Sequence, residues 1–238
     1  MSKAVAEGRV PAGQRHPFRG RFALLFFFLL GSIVAYPYAE SSGVGYYAFR
    51  ILGGLIILLT VFAVTFSRGL LVLVVLLAVP SIVQRVFLHP LNHGLFPLIN
   101  QLLSLTFDLL VIYIVSRHIF QIKRPDSETI FGALCIYLLV GFAFSSLYST
   151  IYSNLPNAFY MGSAQNVHAV PDRFDFIYFS FGTLTELGTP GITPVAPIVR
   201  SVSLLEAIIG VLYLAVLISR LISAYHTGQA ASDGLEGE

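Results

Sequence analysis

This sequence predicts an all-α membrane fold: six transmembrane helices, with a short re-entrant helix and loop between the fifth and sixth. Three observations carry that prediction. Of 238 residues, 56% are hydrophobic and 11% charged, against roughly 25% charged in a soluble domain. The apolar residues gather in runs that reach the length a bilayer crossing needs, about 20 residues. A further run, Phe174–Thr185, is apolar but only about twelve residues long, which suits a half-helix that enters and turns back. It leads into the Gly- and Pro-rich stretch TLTELGTPGITP, residues 183–194.

The first span is expected at Phe22–Tyr38, ending at Pro37 and the turn-rich AESSGVG. The second comes at Tyr46–Phe66, closed by Ser67–Gly69, and the third at Leu70–Leu88 with Pro80 as a kink. After HPLNHG comes the fourth, Leu95–Phe120, and after the charged break KRPDSE the fifth, Ile130–Tyr152. The polar stretch Ser153–Pro171 leads to the half-helix, with Asp172 as N-cap and Gly188, Pro190 and Gly191 as its stop signals. The sixth span is expected at Val199–Tyr225. Irregular backbone at membrane depth is tolerated only inside protein or beside water, so the loop after the half-helix reads as lining an aqueous path.

With the N-terminus inside, ten of the 14 Lys and Arg fall on the cytoplasmic side, the bias that sets orientation. Both termini are then cytoplasmic and the re-entrant loop enters from outside. The first 21 residues read as a retained polar tail rather than a cleaved signal, and residues 227–238 as a short cytoplasmic tail with no soluble domain after it. The lone cysteine, Cys135, allows neither an intramolecular disulfide nor a cysteine-based metal site. The slight positive charge needs no nucleic-acid partner, and neither a nucleotide-binding glycine motif nor a catalytic triad is visible, so an enzyme is not expected. His89 and His93 have a spacing that can bind metal on a helix, but Pro90 and Asn92 place them in a loop.

From Asp175 to Ile222 the sequence resembles the pore module of the potassium channel superfamily, in particular bacterial six-span proteins with a two-helix ion-channel pore domain. YFSFGTLT looks like the pore helix, GITP the filter exit and LLEAIIGVLYLAVLISRLI the inner helix. ALCIYLLVGFAFSSLY looks like the outer helix, and the resemblance covers about 100 of the 238 residues. It implies a homotetramer around a central pore, with residues 22–124 as a four-helix peripheral domain and 125–226 as the pore domain. It also implies an ion pathway along Thr185, Glu186, Leu187, Gly188, Thr189, Pro190 and Gly191. Permeant monovalent or divalent cations are its only ligands, without a cofactor. The family's filter, TVGYG, presents stacked carbonyls to the ion. Here Glu186 stands for Thr, Leu187 for Val, Thr189 for Tyr, Pro190 for the second Gly and Gly191 for the next residue, an acid in the family. Proline fixes φ near −65° and lacks an N–H, which disfavours the usual carbonyl geometry. Four copies of Glu186 would instead form a carboxylate ring, a recognised alternative for selecting cations.

Three residues in the spans stand out. Asp108, mid-way along the fourth, is either a functional carboxylate or a hydrogen-bonded stabiliser of the bundle. Glu206 falls, by the resemblance, behind the pore helix, where a structural hydrogen bond is favoured over ion contact. Gly210 falls at the family's gating hinge, against the common use of a membrane glycine as a packing contact. Asp172, Arg173 and Asp175 read as caps of the pore helix or as lining of the outer mouth. The leading function is a tetrameric cation channel with an altered filter. A non-conducting relative keeping the pore module for assembly or regulation is the alternative. A carrier built on broken helices would show a second interrupted helix, and the first half has none.

Overall fold

The structure is a computed structural model that describes residues 20–40, 96–122, 127–155, 157–162, 171, 173–189 and 191–233, with isolated helical positions between 55 and 79. The expectations for the second and third spans, Pro80, His89, His93, Asp172 and Pro190 lie outside the described residues.

Apart from those isolated positions, the described chain forms five helices and one small sheet: α1 Arg21–Glu40, α2 Phe96–Gln121, α3 Ser127–Asn154, β1 Phe159–Met161, α4 Arg173–Leu184, β2 Ile192–Pro194 and α5 Pro197–Asp233. Among the described residues, three helical stretches are long and apolar enough to cross a membrane, Gln101–Gln121, Ser127–Asn154 and Pro197–Ile222. They coincide with the fourth, fifth and sixth expected spans.

Helix α3 is the hub, packed by α1, α2, α4 and α5. On α1, Phe22, Leu25, Leu29 and Ser32 are buried; their spacing of three and four residues lays them along one face. On α2 the same logic buries Phe107, Val111, Ile114, Val115 and Ile119, while Leu102, Leu109 and Tyr113 face outward. Gly132 on α3 permits the closest approach, because a Cβ there would lie 2.6 Å from Ile119 Cδ1. The N-termini of α1 and α3 share one acid. Glu128, in the first turn of α3, accepts the backbone N–H groups of Gly20 and Phe22, placing a carboxylate where helix N-termini favour negative charge.

Two element ends differ from the expected ones. Helix α1 continues through Pro37 to Glu40 rather than ending there. Helix α5 overruns Tyr225 and reaches Asp233. Its Arg220 reaches across to the C-terminus of α2, donating to the carbonyls of Ile119 and Phe120 with its guanidinium 4.8 Å from the Phe120 ring centre. A cation is favourable at that end of a helix.

The sheet is an addition to the expected all-helical fold. It lies partly within the stretch that reads as a polar connection. β1 and β2 pair antiparallel, with Phe159 opposite Pro194 and Met161 opposite Ile192. Phe159 makes so short a ribbon stable, since two strands alone are marginal in water. Its ring sits 5.8 Å from Tyr148, 5.4 Å from Phe176 and 5.2 Å from Phe179, centre to centre. It thus plugs the sheet into the seam between α3 and α4.

Phe159→Ala is expected to destabilise the protein by about 3–5 kcal/mol, the usual cost of emptying a buried aromatic site. Tyr160→Ala, at a position that is 61% exposed, should change little. Thermal unfolding in detergent, monitored by dye labelling of buried Cys135, measures both.

Candidate functional site

The half-helix α4 has twelve residues and is therefore ~18 Å long, well short of a bilayer. Asp175 lies in its first turn, where an acid complements the dipole. Phe176, Phe179 and Leu184 are buried, so one face of α4 is held by protein along its length. Gly141 of α3 lets the Phe181 ring approach closely; a Cβ there would lie 2.7 Å from its Cζ.

Two polar contacts, one turn apart, fix α4 to the long helices. At the first, the buried carboxyl group of Glu206 on α5 meets Ser180, and Tyr148 of α3 donates to Glu206 Oε2 at 2.6 Å. Ser180 also lies 2.7 Å from the Gly141 carbonyl oxygen. At the second, the Tyr137 hydroxyl donates to the Leu184 carbonyl at 3.1 Å. Gly210 lies against that same carbonyl, which a Cβ on Gly210 would overlap. Ser180 and Leu184 on α4 thus match Glu206 and Gly210 on α5, pair against pair. Helix α5 passes Gly210 without a break.

The loop begins where α4 ends. Sequence stop signals point to Gly188, Pro190 and Gly191, yet the helix ends at Leu184, because Glu186 itself takes the left-handed conformation with φ 58°. Its N–H bonds the Thr183 carbonyl at 3.2 Å, half of a Schellman-type cap. The other half is displaced by one residue, with Gly188 N–H rather than Leu187 N–H bonding Gly182. Glycine is the usual occupant of that cap. A carboxylate there is also at the negative end of the helix, so Glu186 opposes two local preferences at once. Such conflicts concentrate at functional positions.

Beyond Glu186 the chain folds back along α4. The methyl of Thr189 fills the space left by the missing side chain of Gly182. Gly188 and Gly191 have φ of 80° and 105°, conformations that favour glycine. Residues 185–188 are exposed, Leu187 at 77%. The sheet then takes hold: Gly162 N–H bonds the Gly191 carbonyl at 2.8 Å, and Val195 and Ala196 both donate to Ala158. The loop is therefore anchored by α4 on one side and by β1 on the other, with the exposed Glu186 turn between.

Of the residues singled out in the sequence, Thr185, Glu186, Leu187, Gly188, Thr189 and Gly191 come together in this loop, and Glu206 and Gly210 lie behind it. Asp108 sits apart, half-buried on α2. Sequence reasoning misses Tyr137, Tyr148, Ser180, Gly182 and the sheet. The only signal for the first three is indirect: an acid in a membrane helix demands donors, and hydroxyls on neighbouring helices are the candidates.

Replacing Glu186 with Gly should stabilise the folded protein by up to about 1 kcal/mol, since the left-handed turn no longer strains a side chain. Gly182→Val should have the opposite effect and displace Thr189. Thermal midpoints of the purified variants report both.

Residues 132–226 match the model of a family described as an ion channel, a segment that holds most of α3 and all of β1, α4, the loop and β2, with α5 as far as His226. No curated protein matches the chain. The match and the three apolar helices among the described residues together support a membrane protein with an ion channel domain.

Proposed function

We propose that the chain is one subunit of a homotetrameric cation channel of the potassium-channel fold, conducting passively through a central pore. The observation that carries this reading is Glu186, an exposed acid in a strained turn at the C-terminal end of a half-length helix, inside the segment that matches the ion channel family. One such loop cannot enclose an axis, so several chains must contribute. Apolar side chains exposed along α5, among them Leu205, Ile208, Leu212 and Val216, suit a surface covered by lipid and by further copies.

Six spans, a cytoplasmic N-terminus and a cytoplasmic C-terminus in the plasma (inner) membrane accord with the basic-residue bias. In this arrangement the loop faces outward from the membrane centre, and each α4 directs its negative end at the axis, equivalent to roughly half a charge per helix. Four Glu186 carboxylates add to that potential. Cations are drawn in, anions excluded, and divalent ions held longer than potassium. The Pro190 and Thr189 departures weaken the stacked carbonyl sites on which potassium selectivity depends. A gate at Gly210 would bend α5 where it touches Leu184, so opening would also move the end of the pore helix.

Reversal potentials in mixed potassium, sodium and calcium test the reading. Glu186→Gln should lower the cation-over-anion preference and relieve divalent block. The combined change Glu186→Thr, Thr189→Tyr, Pro190→Gly and Gly191→Asp should restore potassium preference. A silent protein in bilayers would favour the non-conducting alternative, and strong native potassium selectivity would contradict the role given to Glu186 and Pro190.

Voltage should not gate the channel through α2. Its only arginine is Arg117, near its C-terminal end, with Asp108 upstream, whereas sensors move several charges worth about 2.3 kcal/mol each per 100 mV. Currents that rise steeply with voltage and flatten in Arg117→Gln would show otherwise.

A further inference from the structure

Tyr148, Glu206, Ser180 and Gly141 form a closed circuit across three helices. It starts and ends on α3, since Tyr148 and Gly141 lie seven residues apart, about two turns along one face. Between them it passes through Glu206 of α5 and Ser180 of α4. Tyr148, Ser180 and Glu206 each have 0% exposure. The two partners of the carboxyl group are uncharged hydroxyls.

Three oxygen–oxygen contacts need three hydrogens. Tyr148 supplies one, directed to Glu206 Oε2 at 2.6 Å. Ser180 has a single hydroxyl hydrogen but touches two acceptors, the Gly141 carbonyl oxygen at 2.7 Å and Glu206 Oε1. A carbonyl has no hydrogen to offer, and neither does an ionised carboxylate. With Glu206 ionised, one of the Ser180 contacts would bring two oxygens together with nothing between them. With Glu206 as a carboxylic acid the count closes. Oε1–H donates to Ser180, Ser180 donates to Gly141, and Tyr148 donates to Oε2. An uncompensated charge at this depth would also be expensive.

We infer that Glu206 carries its proton and serves as a hydrogen-bond donor to Ser180, closing a ring that fixes the half-helix to both long helices. Glu206 is in this sense a positioning residue. It is fully buried, yet by holding Ser180 it fixes α4 against the long helices and hence positions the Glu186 turn that follows. The ring holds α4 in the same way whether or not the protein conducts.

Infrared difference spectra of the full-length protein in lipid bilayers test it. Wild type minus Glu206→Gln should show the carbonyl band of a protonated carboxyl group, shifted by deuteration. Wild type minus Glu186→Gln should lack it. Glu206→Gln should stay closer to the wild-type thermal midpoint than Glu206→Leu, because its amide keeps an N–H for Ser180 and an acceptor oxygen for Tyr148, whereas Glu206→Leu keeps neither. If Glu206→Gln does not fold, Ser180→Ala supplies the second arm: removing the acceptor should shift the protonated-carboxyl band without abolishing it. Carboxylate bands lost in Glu206→Gln, or no carboxyl band that responds to Ser180→Ala, would overturn the proposal.

Discussion

A helix too short to cross a bilayer must have its polar ends and its side chains satisfied by protein or by water, because lipid offers neither donors nor acceptors. In the re-entrant position proposed for α4, that constraint organises everything around it. Its last carbonyl is taken by the Tyr137 hydroxyl, its middle is held through Ser180, and its aromatic face is buried against Tyr148 and Phe159. Even Gly141 and Gly210 belong to this solution, since both leave space that α4 occupies. The long helices can be apolar almost throughout because the polar groups they carry at this level are spent on the short one.

The chain beyond α4 is correspondingly tight. Leaving the helix at Leu184 and entering a strand at Ile192, it has seven residues in which to reverse, and three of these have positive φ. Two of the three are glycines, which accept such backbone readily. The third is Glu186, which does not, and which is held there by the Thr183 bond before it and the Gly188 bond after it. The strain at an acidic side chain, together with its exposure, is the physical basis for assigning it the central role.

The described part of the helical scaffold is legible in the sequence because spans are written in length and apolarity. α2, α3, α4 and α5 fall within a few residues of their expected starts. Ends are harder to read. Pro37 does not stop α1, and the stop of α4 comes from Glu186 rather than from the glycines beyond it, since left-handed backbone at a glutamate has no signature in composition. The β ribbon is illegible for a related reason: its strands are three residues each, and Phe159 stabilises them through rings contributed by two distant helices. Glu206 stands out as an acid in an apolar run, but its partners are hydroxyls 26 and 58 residues away, and sequence separation carries no trace of that meeting.

The central claim is that the half-helix exists to present the Glu186 turn to an ion path. An experimental density map of the assembled protein in a calcium-containing bilayer tests it most directly. The account predicts four chains around one axis, the Glu186 carboxylates as the side chains nearest that axis, and cation density between them that weakens when calcium is removed. A map in which Glu186 points into lipid or a subunit interface, with the axis lined by other residues, would contradict it.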